Sequence, residues 1–232
     1  MKYKLFLFSI ASMISLLGYL YINKVSPNLT QDDFTAFSKV ENYLSCNKLN
    51  NFDDEMRCID SVQNAVLSVD YLDVCPTYDC CVPKGNSIEP LDFYNRGYGC
   101  CFERSRFNEK LLNSLGFKTR HVFIIESKGI SLMNFIPLNQ SSHAASEVLT
   151  SKGWMGLDSI TNLKLIDEDM NVFTYKQALQ NSKMIEKLTP KYLFDRNPDI
   201  IYGMYSRHGY SFSPNLPGPE FALKELKYNF GF

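Results

Sequence analysis

The segment from Cys101 to Asp158 constrains the fold more than any other, because its apolar spacing changes within it from a helical to a strand-like period. After Cys101 the apolar residues Phe107, Leu111, Leu112 and Leu115 recur at helical intervals and stop at Gly116, a residue suited to a helix C-terminal cap. Thr119–Ile125 is β-rich and predicts the strand that follows. Ser142–Leu149 and Trp154–Ser159 read as two further strands joined by a tight turn around Ser151-Lys152-Gly153. A helix followed by an antiparallel sheet places the chain in the α+β class.

The same segment brings three chemically significant residues together. In a hairpin, facing residues have a constant index sum, and His143 with Asp158 gives 301. A turn near residues 151 and 152 allows sums of 301 to 303. Both odd registers put His143 and Asp158 on one sheet face, opposite or diagonal, whereas 302 separates them. Cys101 is expected in the first turn of its helix, where open N–H groups and the helix dipole favour a negative charge. A thiol attacks only as a thiolate, so it needs a base beside it, and the base needs a third group to orient it. Taken singly, a Cys among seven, a His in a strand and an Asp near a turn each read as structural. Their joint order and spacing favour a triad of Cys101, His143 and Asp158.

Gly99-Cys100-Cys101-Phe102-Glu103, His143-Ala144-Ala145-Ser146-Glu147-Val148 and Gly153-Trp154-Met155-Gly156-Leu157-Asp158 together resemble the transglutaminase-like superfamily of papain-type cysteine enzymes. The resemblance covers roughly Gly97 to Asn162 and the helices before it. It implies a transglutaminase-like (papain-like) α+β fold, with the catalytic helix packed on an antiparallel sheet. It also implies acyl transfer at an amide through a Cys thioester. The family pattern has a Gly two positions before the nucleophile and another about fifteen residues after it, at the end of the helix. Gly99 and Gly116 then select Cys101 over Cys100. Hydrolysis, as by a protease or amidase on a protein or peptide substrate, is the expected outcome, since many bacterial members resemble hydrolases. A cross-linking transglutaminase, or a non-catalytic scaffold for envelope or polysaccharide assembly, are the alternatives. The family also places a side-chain amide in the oxyanion hole, and Asn95 stands six residues before Cys101, although an Asn in Tyr94-Asn95-Arg96-Gly97 equally reads as a turn former. No cofactor or metal is expected, and no acidic calcium loop is present.

Two other residues are candidate substrate contacts. Trp154 shares the His143 face by parity and is expected beside the site. Arg207, in Ser206-Arg207-His208-Gly209, could bind a carboxylate, though an exposed Arg-His pair is more often simply solvated. His121 has no evident partner and reads as structural.

The seven cysteines are Cys46, Cys58, Cys75, Cys80, Cys81, Cys100 and Cys101. Setting Cys101 aside leaves six, enough for three bridges. Six cysteines allow fifteen connectivities, and adjacent ones pair poorly. At least one bridge is expected to tie the Val74–Pro90 loop to the helix of Cys101, with Cys81–Cys100 the candidate and Cys46–Cys58 and Cys75–Cys80 the simplest local pairs. A zinc site of Cys75, Cys80, Cys81 and Cys100 is weaker, since no paired C-x-x-C spacing occurs.

Lys2 and Lys4 precede an uncharged run from Leu5 to Ile22. Its length suits an uncleaved signal-anchor over residues 1–25, with a cleaved signal peptide and secretion as the alternative. The flanking charges put the remaining chain in the periplasm or otherwise outside the cytoplasm, where disulfides persist. Residues 26–232 suit one domain, with the transglutaminase-like core at about 90–165. A balance of 24 basic against 25 acidic residues argues against nucleic acid as a partner. Helices are expected from Asp32 or Asp33 to about Cys46, from Asp53 or Asp54 onward, and over Tyr175–Met184 and Ile185–Tyr192. Val74–Pro90 reads as a loop, and the chain from Pro198 as a surface wrap.

Overall fold

The computed structural model describes residues 2–46, 48–69, 88–126, 142–205 and 220–230. Its elements run α1 (Lys2–Ile22), α2 (Gln31–Val40), α3 (Phe52–Ser68), α4 (Pro90–Arg96), α5 (Cys101–Ser114), β1 (Lys118–Ile125), β2 (Ser142–Thr150) and β3 (Gly153–Leu157). Three one-turn helices follow, α6 (Tyr175–Ala178), α7 (Ser182–Ile185) and α8 (Lys191–Phe194), then β4 (Asp199–Tyr202), β5 (Met204–Tyr205) and β6 (Glu220–Phe221).

The fold is mixed α+β around a four-stranded sheet in the order β3-β2-β1-β4, antiparallel at each pairing. Alternation along the strands gives the sheet two buried faces. Val148, Met155 and Leu157 pack with Ile59, Val62, Phe107 and Leu111 of α3 and α5. On the other face Val122, Ile124 and Ala145 pack with Leu165, Tyr175, Leu188 and Phe194 from the chain after β3. The sheet is thus a middle layer, and α5 lies against its centre.

Local chemistry explains where the elements begin. Thr30 caps α2 by accepting from Asp33 N at 3.3 Å, while Asp33 Oδ2 accepts from Thr30 N at 2.7 Å. Asp33 is therefore the third helical residue rather than the cap, and it also pairs with buried Lys110 of α5 at 2.8 Å. The helix ends at Val40 and tightens into a 3-10 turn over Glu41–Tyr43, short of the expected Cys46. Phe34 and Tyr43 are exposed rather than part of its inner face. Asn51 caps α3 through Asp54 N at 2.9 Å. Pro90 opens α4 at its first turn and Gly97 closes it in a left-handed conformation, so part of the expected turn is helical. The predicted helices over 175–192 are broken into α6, α7 and α8. Asn181 caps α7 in the middle of the first, and Pro190 precedes α8 in the second. The stretch after Pro198 supplies β4, which pairs with β1 instead of only wrapping the surface.

Among the described residues no helix is long and apolar enough to cross a membrane. The side chains of residues 2–9, on which the anchor expectation also rests, lie outside the described ones. So do Cys75, Cys80 and Cys81 with most of the Val74–Pro90 loop, and Arg207. Cys46 and Cys58 stand at disulfide distance, 2.01 Å, joining the segment after α2 to α3.

Candidate active site

Cys101 is the first residue of α5, with Cys100 at the N-cap. Glu103, fully buried, fixes this start: its Oε2 accepts from Cys100 N at 2.8 Å, and it is ion-paired with Arg96 of α4. Gly99 is needed for that approach. A Cβ there would lie 2.7 Å from the Phe93 ring and 2.8 Å from Glu103 Oε2. Gly116 ends the helix region at a φ of +94°, where a side chain would be strained. Cys101 is half-buried as a residue, and its sulfur is outside any disulfide.

The β2–β3 register pairs Ser146 with Leu157 and Glu147 with Gly156, an odd sum of 303. His143 and Asp158 are therefore diagonal neighbours on one face, Asp158 lying just past the end of β3. His143 Nε2 is 2.6 Å from Asp158 Oδ1, and both side chains are buried. Burial pushes the Asp158 carboxyl up, but hydrogen bonds and charge from His143 and bonds from Thr161 outweigh it and hold it below its ordinary value. An ionised carboxylate only accepts, so the proton sits on Nε2. That leaves Nδ1 as the ring nitrogen for the sulfur. Burial alone would depress His143, but its hydrogen bonds to Asp158 and then Cys101, with both charges, carry it up to about 10. That raised value favours the protonated ring at neutral pH, with Asp158 as its hydrogen-bonded partner.

The second Asp158 oxygen is also held. Oδ2 accepts from Ile160 N at 3.2 Å, Thr161 N at 2.8 Å and Thr161 Oγ1 at 2.7 Å. Ser159 Oγ donates to Ala144 O at 2.5 Å, tying this loop to the strand that carries His143. Sequence reasoning did not single out Thr161, although an Asp three residues before a Thr is a recognisable turn pattern.

The other candidate residues are placed differently. Asn95 lies on the exposed side of α4, and no described contact joins it to Cys101. Trp154 is on the His143 face, as parity requires, but at the turn end of the hairpin. It pairs with Leu149, six residues from His143, about 20 Å at the usual strand rise. There it stacks on Arg120, whose guanidinium carbon is 4.2 Å from the Trp154 and Tyr202 ring centres and 4.5 Å from that of Tyr228. Arg120 in turn binds buried Glu147 at 2.8 and 2.5 Å, so Trp154 belongs to a structural cation–aromatic cluster rather than to the thiol. His121 is buried and meets Glu109 at 2.8 Å. Among the described residues no group of three or more His, Cys, Asp or Glu side chains could hold a metal.

No protein-family model matches this chain, and no characterised protein or solved structure matches it significantly.

Proposed function

We propose that the protein is a transglutaminase-like, papain-type thiol enzyme that transfers an acyl group from an amide, with water as the acceptor. One observation carries this reading: a half-buried, unbridged Cys101 at a helix N-terminus, near enough to His143 to raise its basicity, with His143 Nε2 held 2.6 Å from a buried carboxylate. The thiolate of Cys101 forms a bond to the amide carbonyl carbon. The oxyanion that develops faces the N–H of Cys101, which as first residue of α5 has no helical carbonyl to serve. Collapse breaks the C–N bond, and the amine leaves with the proton from His143 Nδ1, giving a thioester. Neutral His143 then takes a proton from water, whose hydroxide oxygen attacks the thioester. The carboxylic acid leaves, and the thiolate–imidazolium pair is restored. Asp158 stays ionised throughout and holds the imidazole tautomer. An amine in place of water makes the same site a cross-linking transglutaminase.

The Cys46–Cys58 bridge supports an extracytoplasmic location, and the exposed Ile14, Leu16, Leu17, Tyr21 and Ile22 of α1 support attachment to a membrane. The test is reaction of Cys101 with a thiol-directed electrophile, followed by trapping of the acyl-enzyme and weighing of the attached fragment. Modification abolished by His143→Ala and an acyl adduct on Cys101 support the reading. Modification unchanged by His143→Ala refutes it, and leaves a non-catalytic scaffold.

A further inference from the structure

We propose that Gln63 of α3 is a positioning residue for the triad, holding the main chain that carries Asp158, an inference that rests on the thiol-enzyme reading. The Gln63 side chain is buried, and both hydrogens of its amide are used. Nε2 donates to Asp158 O at 3.1 Å and to Leu163 O at 3.3 Å. Those two carbonyls bound a small loop that closes on itself, since Asp158 N donates to Leu163 O at 3.0 Å. The loop is the piece of chain that also wraps Asp158 Oδ2 with Ile160 N and Thr161. Gln63 therefore grips both ends of the clamp that aims Oδ1 at His143.

The neighbouring face of α3 repeats this grip toward solvent. Positions 60, 63 and 64 share a helix face. Asp60 Oδ1 accepts from Asn162 Nδ2 at 2.9 Å and pairs with Lys164 Nζ at 2.6 Å, and Asn64 Oδ1 accepts from Asn162 Nδ2 at 3.0 Å. Gln63 Oε1 lies 3.4 Å from Lys164 Nζ. The outer contacts are exposed or part-buried and hold the loop's flank, whereas Gln63 is the buried contact that reaches Asp158 itself. Two carbonyls stripped of a buried donor pull the loop toward water or other donors. A shift of about 1 Å at a reacting group can cost a hundredfold in rate.

The experiment uses the full chain with Gln63→Met, which keeps the side-chain volume and removes both donors. The readouts are the alkylation rate of Cys101 by iodoacetamide at pH 7 and the titration of the His143 imidazole by NMR. The charged groups that bear on that ring are Cys101 and Asp158, with Arg104 acting on Asp158. The expected result is a rate at least about tenfold below wild type, with the His143 midpoint lowered by about one pH unit, the same factor in the ion-pair equilibrium. Val66→Ala, a core truncation one turn along α3, lowers stability and moves neither readout. Gln63→Leu, neutral and without either donor, replaces the Met variant should the latter not fold. Loss of stability with both readouts at wild-type values overturns the role of Gln63. A wild-type Cys101 indifferent to His143→Ala overturns the thiol-enzyme reading first, and this inference with it.

Discussion

Two histidines of one sheet each meet a carboxylate, and the two pairs differ in what else lies beside the ring. His143 meets Asp158 at 2.6 Å, and His121 meets Glu109 at 2.8 Å. Both rings are buried, and each has a nucleophile-bearing residue of α5 nearby, Cys101 for the first and Ser105 for the second. The difference lies in where α5 presents that residue. Cys101 stands at the helix start, partly open to solvent, with its thiol outside any disulfide. Ser105 is one turn further in, and its hydroxyl is committed to Glu109, Ser146 and Ala145 O at 2.9 Å each. Tyr205 stacks on His121 at 3.7 Å and donates to Glu109 Oε2 at 2.6 Å, closing the pocket. The second cluster has the composition of a Ser-His-Glu triad and none of its access. A buried His–carboxylate pair is thus no sign of catalysis unless the ring's other nitrogen faces a reactive group that a substrate can reach.

The largest separation is expected from the nucleophile positions. Cys101→Ala should abolish turnover, since no other group at the site can form the acyl intermediate. Ser105→Ala should lower stability by about 1–2 kcal/mol and leave turnover per folded molecule unchanged. Measurable hydrolysis by Cys101→Ala at the wild-type rate would falsify the mechanism. Next in size are the carboxylates. Asp158→Asn should keep the fold and lower kcat by ~10⁴, by analogy with the serine-protease triad, because the amide no longer enforces the productive tautomer. Glu109→Gln should instead act on stability, read as a lower denaturant midpoint with an intact rate.

The pH dependence divides the two clusters again. His143 titrates at about 10 in the folded chain, above its ordinary 6.5. Its contribution to stability is therefore complete below 6.5 and lost as pH rises through 10, and kcat/KM should fall on an alkaline limb in the same place. In the other cluster Glu225 accepts from His121 N at 2.8 Å. Burial, and then the charge of Glu109, push its carboxyl up to about 8, against the His121 bond. A raised acid also favours the protonated side, so its contribution is complete below 4.5 and lost as pH rises through 8. Glu225→Gln should remove the fall in stability between those values and leave the alkaline limb of activity in place. A limb that moves with Glu225→Gln would show that the two clusters are coupled.

The meeting of His143 and Asp158 was legible because it depends on short-range features. Helical spacing after Cys101 and the stop at Gly116 locate the thiol, and the two-residue turn at 151 and 152 sets the parity that joins His143 to Asp158. Parity gives the face but not the position along the strand, which is why Trp154 was expected beside the site and lies at the other end of the hairpin. The caps at Thr30 and Asn51 lie two or three residues before the aspartates expected to start these helices, and Thr-x-x-Asp and Asn-x-x-Asp carried their signal. Pro90 and Gly97 carried the signal for α4. Gln63 could not be found this way. Its partner carbonyls lie 95 and 100 residues further along the chain, and a Gln on a helix face has no periodic signature that separates a core donor from a solvated amide.

The smallest contrast removes one hydroxyl from each carboxylate. Thr161 Oγ1 donates to Asp158 Oδ2 at 2.7 Å, and Ser146 Oγ donates to Glu109 Oε1 at 3.0 Å. Thr161→Val keeps the shape, and Ile160 N and Thr161 N still hold the oxygen. The lost bond to a charged acceptor is worth ~1.5–3 kcal/mol before the remaining donors compensate. A residual loss of about 1.4 kcal/mol in orienting His143 would read as tenfold in kcat/KM. Ser146→Ala leaves Glu109 with His121, Ser105 and Tyr205, so its cost of about 1 kcal/mol should appear in the unfolding midpoint alone. Equal effects of the two substitutions on kcat/KM at matched stability would mean that the difference between the clusters is not one of access, and that the buried Ser-His-Glu network takes part in holding the site.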